Sequence, residues 1–519
     1  MTNETIDVSD APSRPRAEPS AQTPHAIVIG AGFGGLAAAI RLLAKGYRVT
    51  LIERLDKPGG RAQVFERDGF RHDAGPTVIT APFLFEELFE LMGVTMADRL
   101  QLVPLDPWYR FRFADGSEFN YGGTVEDTLR EIRRIEPDDA DGYLRLVEHS
   151  RALYDTAFTE LAHQPFDRPA TMMRQAPHLV RLRAHETVWQ MVCKYVKNPK
   201  LRRAFSIQPL LLGGSPFQTT SIYGLIHFLE RRHGVHFAMG GTGAVVRQLE
   251  RLIRDGGGTL RYGETVEQIL SENGEVRGVA LESGERLNAD IVISNADPMH
   301  LFDQMLPAQI QRRSARVKHR FARLSLGLYV LYFGTDRTYP DVAHHTIWFG
   351  ERYKDLLDDI FRRHKLTEDF SLYVHRPTAT DPSFAPPGCD SFYVLCPVPH
   401  LAAEVDWDVE GPKLRDRIVA ALNATLLPGL QDSIRADFWM TPEDFQTRYL
   451  SHMGTGFSLA PHFTQSAWFR FHNRAEGPKR LYLVGAGTHP GAGMPGVLCS
   501  AKVIERLIPK AVPADKPGG

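Results

Sequence analysis

HAIVIGAGFGGLAAAIRLLAKGYRVTLIER, residues 25–54, decides how this chain folds. His25–Ile29 is an apolar run ending at Gly30, and Gly30, Gly32 and Gly35 then give the spacing G-x-G-x-x-G. In the helical pattern that follows, Leu36, Ile40 and Leu43 fall at i, i+4 and i+7, one buried face against a sheet. Gly46 stands where a helix C-cap belongs. Tyr47–Ile52 gives a second strand, ending at Glu53. Strand, glycine turn, helix and strand in register predict a Rossmann-like βαβ unit for a dinucleotide. Gly30 makes the tight turn, Gly32 lets backbone approach a pyrophosphate, and Gly35 lets helix and strand pack closely. The helix N-terminus supplies N–H groups to the phosphates. Glu53, 23 residues after Gly30, stands where an acid accepts hydrogen bonds from ribose hydroxyls and disfavours a 2′-phosphate. In Pro58-Gly59-Gly60-Arg61, Gly60 allows close backbone approach and Arg61 offers a planar cation to a phosphate.

The unit does not choose between FAD and NAD, which share their ADP half. The rest of the chain supplies the choice. At 519 residues with 43% hydrophobic side chains, two or three domains are expected. A net charge of −1 gives no argument for nucleic acid. The four cysteines form no C-x-x-C pair, so no bridge is assigned and a cytoplasmic setting is expected. Residues 1–23 are polar, without an apolar h-region, and read as a disordered tail. The best apolar run, Leu324–Phe333, is too short to span a bilayer and reads as a buried strand.

Gly240-Gly241-Thr242-Gly243 opens a helical stretch closed by Gly256-Gly257-Gly258. Short strands follow, with hairpin signals at Asn273-Gly274 and Ser283-Gly284. Gly241-x-Gly243 lacks a third glycine, so no second nucleotide fingerprint is read. Arg480–Val484 is a strand running into GAGTHPGAGMPGV, residues 485–497, whose glycines bring backbone against something flat. "GAGFGGLAAAIRL", "PGGRAQVFERDGFRHDAGPTVIT", "GGTGAVV", "SNADP", "TQSAWFRFHNR" and "YLVGAGTHPGAGMPGVLCSAK" together resemble the bacterial phytoene desaturases, carotenoid desaturases of the flavin amine-oxidase-like superfamily. The resemblance spans about residues 24–507.

That resemblance implies an extended, noncovalent FAD with its ADP half on Gly30, Gly32, Gly35 and Glu53. The isoalloxazine is expected between Ala74–Thr77 and the C-terminal glycines, beside Gly487, Met494 and Val497, and the backbone of Val266 is expected at the adenine. It also implies phytoene and its desaturated intermediates as substrates, converted toward neurosporene or lycopene, with oxygen or a quinone as final electron acceptor. Such a reaction removes a hydride to the flavin and a proton from the neighbouring carbon. The allylic cation between the two losses is strongly acidic, so no dedicated triad or metal is expected. His489, inside the glycine stretch, is the one candidate for proton removal. His227, His233 and His236 cluster in sequence and His344-His345 are adjacent, but without a carboxylate or cysteine pattern no metal site is read.

The expected architecture is α/β. A discontinuous Rossmann-like FAD-binding domain comprises residues 24–90, 236–300 and 474–510. A helical lid and membrane-facing region occupies 91–235, and a mixed β-sheet substrate domain 301–473. Seven cations between Arg181 and Arg203 against Glu186 alone, interleaved with Trp189 and Tyr195, suit an anionic membrane surface. Peripheral docking on the inner membrane is the matching expectation, and a homo-oligomer is compatible with it. The rival readings are a sister desaturase for a hydroxylated or C30 carotenoid, a carotenoid isomerase, and a lipid-binding protein of the GDP-dissociation-inhibitor kind.

Overall fold

The computed structural model describes residues 23–512; the tail read at residues 1–23 lies outside them, apart from Thr23. Strand β1 (His25–Ile29), helix α1 (Phe33–Ala44) and strand β2 (Arg48–Glu53) form where the sequence places them. β1 lies between β2 and Ile291–Ser294 in a five-stranded parallel sheet, with Leu481–Leu483 beyond one neighbour and Thr259–Tyr262 beyond the other. Pieces more than 200 residues apart therefore build one sheet around the glycine turn. α1 ends as expected. Gly46 takes φ +90° just past the last turn, and the Tyr47 amide donates to the Leu42 carbonyl, closing the helix as a left-handed C′ glycine does.

The stripe Leu36, Ile40 and Leu43 is buried, but so are the helix's other sides. The helices Gly241–Asp255 and Met494–Leu507 pack on it. Arg41 is consequently 2% exposed and is held between Glu87 and Glu505.

A seven-stranded sheet forms the second layer system, in the order Ile434–Met440, Gly327–Thr335, Asp390–Val398, Leu372–His375, His345–Trp348, Tyr109–Arg112, Glu118–Tyr121. Most of the apolar run Leu324–Phe333 falls in the strand Gly327–Thr335, which is buried at every position. Its side chains alternate as a strand requires. Tyr329, Leu331 and Phe333 meet the helix Trp407–Thr425, while Leu328, Val330 and Tyr332 join the opposite core. From that helix Leu414, Ile418, Val419 and Leu422 are buried, each contributing roughly 1.5–3 kcal/mol.

Residues 91–235 are mostly helical, but they also give two strands to this sheet, Tyr109–Arg112 and Glu118–Tyr121. Reading the stretch as a helical lid passed over its period-2 pattern. Tyr109, Phe111 and Phe113 are buried, alternating with half-buried Arg110 and Arg112. Among the described residues, no helix is long and apolar enough to cross a membrane, and the four cysteines are free.

Candidate active site

One continuous, mostly apolar cavity runs from the glycine turn of β1 to the seven-stranded sheet. At its first end, Gly30 has φ +89°, a left-handed conformation that side chains resist. Gly35 is tighter still: a Cβ there would lie 1.9 Å from the Gly30 carbonyl oxygen. Glu53 is buried and lines the cavity. Its Oε2 accepts from the Ala31 amide at 2.7 Å and its Oε1 from the Leu55 amide at 2.9 Å. Each carboxylate oxygen keeps a second lone pair, so the acid fixes the turn and still has acceptors for a diol. Gly32, Gly60 and Val266 line the same end, and a Cβ on Gly60 would sit 3.5 Å from Gly32 Cα. Arg61 donates to Ser451 Oγ. Its Nε is buried without a partner, and burial pulls its guanidinium below the ordinary value. A cation in that state fits an anion such as a pyrophosphate.

Further along, Gly487, Met494 and Val497 line the same cavity as Ala74–Thr77. Gly491 (φ +139°) and Gly493 (φ +88°) carry the chain into the helix Met494–Leu507. The motif TQSAWFRFHNR, whose purpose the sequence leaves open, holds this loop in place. Arg470, 1% exposed, donates to the carbonyls of Ala486 (2.6 Å), Thr488 (3.0 Å), Leu459 (3.2 Å) and Gln465 (3.2 Å). Asn473 Nδ2 donates to the His489 carbonyl at 2.8 Å. His489 itself is buried against Phe166, and burial brings its imidazole down to about 3.

The wide end is walled by Leu328, Ile347, Phe349, Leu395 and Phe457, together with Ile207 and Leu211 from the helical region. A few polar groups interrupt it. Glu230 Oε1 accepts from the Tyr109 hydroxyl at 2.9 Å, while Oε2 is buried without a partner. Burial raises this acid to about 7. Thr77 Oγ1 lies 2.6 Å from the Tyr373 hydroxyl. The sequence reading missed Glu230. LERR reads as a charged helix face, and only the packing of the helix Leu225–His233 turns Glu230 inward, with Arg231 packed on Trp108 and Tyr121 beside it.

The histidines divide differently from their spacing in sequence. His227 contacts Gln208 and the Phe205 carbonyl, and His233 the Tyr154 hydroxyl, so with His236 they serve separate local roles. His344 and His345 are joined instead by His375, on the neighbouring strand. The basic stretch Arg181–Arg203 is less charged than its composition implies. Lys194 pairs with Glu186 and Lys200 with Asp115, and Trp189 packs inward on Phe217 and Tyr353.

The family model for flavin containing amine oxidoreductase matches residues 33–503. A lycopene-forming phytoene desaturase of Pantoea ananas is 47% identical over 93% of this chain and 98% of its own length. The chain belongs to the phytoene desaturases of this flavin-dependent family. A neurosporene-forming phytoene desaturase of Cereibacter sphaeroides is 43% identical over 96% of this chain and 97% of its own length. An oxidoreductase from Methanosarcina mazei superposes with a TM-score of 0.65 at 17% identity, covering 93% of this chain and 100% of that one, which shows the shared fold. The enzyme is an FAD-dependent oxidoreductase acting on CH–CH bonds. The glycine turn, the spare lone pairs of Glu53 and the unpartnered Nε of Arg61 at the cavity's first end fit that cofactor.

Proposed function

We propose that this enzyme dehydrogenates 15-cis-phytoene stepwise, through phytofluene and ζ-carotene, toward neurosporene or lycopene. The observation that carries the reading is the continuity of the cavity, with the cofactor end and a long apolar end forming one space. Gly30, Gly32, Gly35, Glu53, Gly60, Arg61 and Val266 would hold the ADP half of FAD, and Gly487, Met494 and Val497 its flavin half. When bound, FAD supplies the hydride acceptor. The protein's own contribution is to orient and to exclude water. Apolar walls hold a hydrocarbon that makes no polar contact, so position comes from shape alone. Arg470 and Asn473 keep the glycine loop rigid against it.

For the proton lost from the substrate cation, Glu230 replaces His489 as the acceptor. A buried imidazole at about 3 is a weak base. Glu230, at about 7, is ionised at mildly alkaline pH, is aimed into the cavity wall with one free oxygen, and as an anion it also stabilises an allylic cation. Oxygen or a quinone then serves as final electron acceptor.

Substrate of this kind dissolves in bilayers, and the surface favours a docking face beside the cavity. Met173 is 75% exposed and Val180 67% on the helix Pro169–Arg181, whose Leu179 lines the cavity. That helix packs against Ala467–Phe469, where Phe469 is 37% exposed. Exposed apolar groups of this kind with Arg174 and Arg181 nearby match an interfacial helix. The test is anaerobic mixing of the holoenzyme with phytoene-loaded vesicles. Flavin bleaching together with a new near-ultraviolet polyene band, the product of one desaturation per FAD, supports the reading. A flavin that stays oxidised while a substituted or C30 analogue bleaches it moves the assignment to a sister substrate.

A further inference from the structure

Behind Thr77, outside the cavity's reaction space, three histidines converge that desaturation does not use, with a carboxylate beside one of them. His345 and His375 are direct cross-strand partners in the antiparallel pair His345–Trp348 and Leu372–His375, and His344 precedes the first strand. Each of the three offers a ring nitrogen, and these nitrogens lie within 4.8 Å of one another. Asp73, at the end of the strand Phe70–Asp73, adds a carboxylate, its Oδ2 3.6 Å from His375 Nε2. His345, His375 and Asp73 are 0% exposed and His344 6%. Their facing atoms have no partner among the described residues. His344 Nε2, His345 Nε2, both nitrogens of His375 and Asp73 Oδ2 are all buried and unsatisfied. So many orphaned buried acceptors in one place is an arrangement that native structures avoid unless something occupies it.

The outer contacts set the tautomers that a metal ion needs. His344 Nδ1 is 2.7 Å from Thr380 Oγ1, and His345 Nδ1 is 2.7 Å from the Tyr373 hydroxyl. Tyr373 can pass its own hydrogen to Thr77, 2.6 Å away. Both histidines then donate from Nδ1 and turn a bare Nε2 lone pair inward, the pattern of metal-ligating histidines. Asp73 Oδ1 is fixed by the Thr242 amide at 2.9 Å and hydroxyl at 3.0 Å, leaving Oδ2 facing His375. We propose that His344, His345 and His375 form a buried site for one divalent transition-metal ion, with the Asp73 carboxylate beside His375 balancing its charge and zinc the ion best matched to three imidazoles. Ligand bonds of about 2.0–2.1 Å require the rings to close in from spacings of up to 4.8 Å and the stacked pair His345 and His375 to turn toward a common point. The ion would pin the strands His345–Trp348 and Leu372–His375 together, and Tyr373, between His345 and Thr77, would pass that rigidity to the cavity wall. Its role is structural, and it does not depend on which carotenoid the enzyme accepts.

The experiment is elemental analysis of the untagged full-length enzyme purified without chelator from zinc-supplemented cells, with a Zn2+ titration of chelator-treated protein. About one zinc per chain is expected, with retention falling at least tenfold in His375→Ala and in the milder His344→Gln. A chelator should lower the melting temperature of the wild type and leave that of His344→Gln unchanged. His344→Gln keeps the test decisive if His375→Ala does not fold. Wild-type protein without metal that takes up no Zn2+ at micromolar concentration would overturn the site and leave water or protons in the cluster. Equal metal in wild type and both variants would overturn it too, because the ion would then sit elsewhere.

Discussion

Gly35→Ala tests whether the first turn of α1 works as a cofactor cradle. The new Cβ would stand 1.9 Å from the Gly30 carbonyl oxygen and 3.1 Å from its carbon, whereas real Cβ contacts essentially never fall under 3.0 Å. Helix and strand must therefore separate by at least about 1.1 Å. The obstruction is backbone of the tight turn that ends the central strand of the parallel sheet, so no side chain can swing aside. Overpacking of this kind costs about 1–3 kcal/mol. Because the same separation moves the amides of α1 away from the pyrophosphate, most of the cost should appear in cofactor binding, about 10- to 100-fold in FAD affinity at about 1.4 kcal/mol per decade. The assay is fluorescence titration of apoprotein with FAD, alongside a thermal melt. Gly477→Ala is the control, since its Cβ would meet nothing closer than the Ile310 carbonyl oxygen at 3.5 Å. FAD binding by Gly35→Ala within twofold of wild type would refute the reasoning.

Arg61→Ala should weaken FAD by roughly 1.5–3 kcal/mol, the range for hydrogen bonds to a charged group, and titration with FAD checks it. Glu230→Gln should keep FAD and lower the desaturation rate about 10²-fold or more, and it should abolish the fall in rate that the wild type shows below about pH 7. The stability of the two proteins should also diverge with pH. The folded acid at about 7 lies above its ordinary 4.5, so the wild type loses stability relative to Glu230→Gln as pH rises from 4.5 through 7, and denaturant melts at pH 5 and 8 measure it. His489 has the opposite sign, with a folded value near 3 below its ordinary 6.5. Its contribution is complete above pH 6.5 and lost as pH falls toward 3, so His489→Phe should flatten that limb of an acid-unfolding curve. Met173→Glu with Val180→Glu should reduce sedimentation with anionic vesicles severalfold while leaving FAD content unchanged.

The cofactor end was legible because its chemistry is local. Gly30, Gly32, Gly35 and Glu53 lie in one βαβ unit, and their spacing alone implies the turn, the helix start and the acid. The substrate end was not. Glu230 looks like any charge on a polar helix until the helix is packed, and Tyr109 sits in a stretch read as helical although its neighbours alternate as a strand does. The cluster of Asp73, His344, His345 and His375 is assembled from three strands, and no spacing along the chain announces a cross-strand pair. Charge counting misled for a related reason. The partners that neutralise Lys194 and Lys200 are local in one case and 85 residues away in the other, so a run of cations in sequence overstated the charge of the folded surface.

Expression of the full chain in a bacterium that accumulates phytoene, with chromatography of the extracted carotenoids, addresses the central claim most directly. The account predicts that phytoene is consumed and that a coloured product appears, neurosporene or lycopene, its identity fixing three or four desaturation steps. Unchanged phytoene in cells whose purified enzyme carries bound FAD would contradict it.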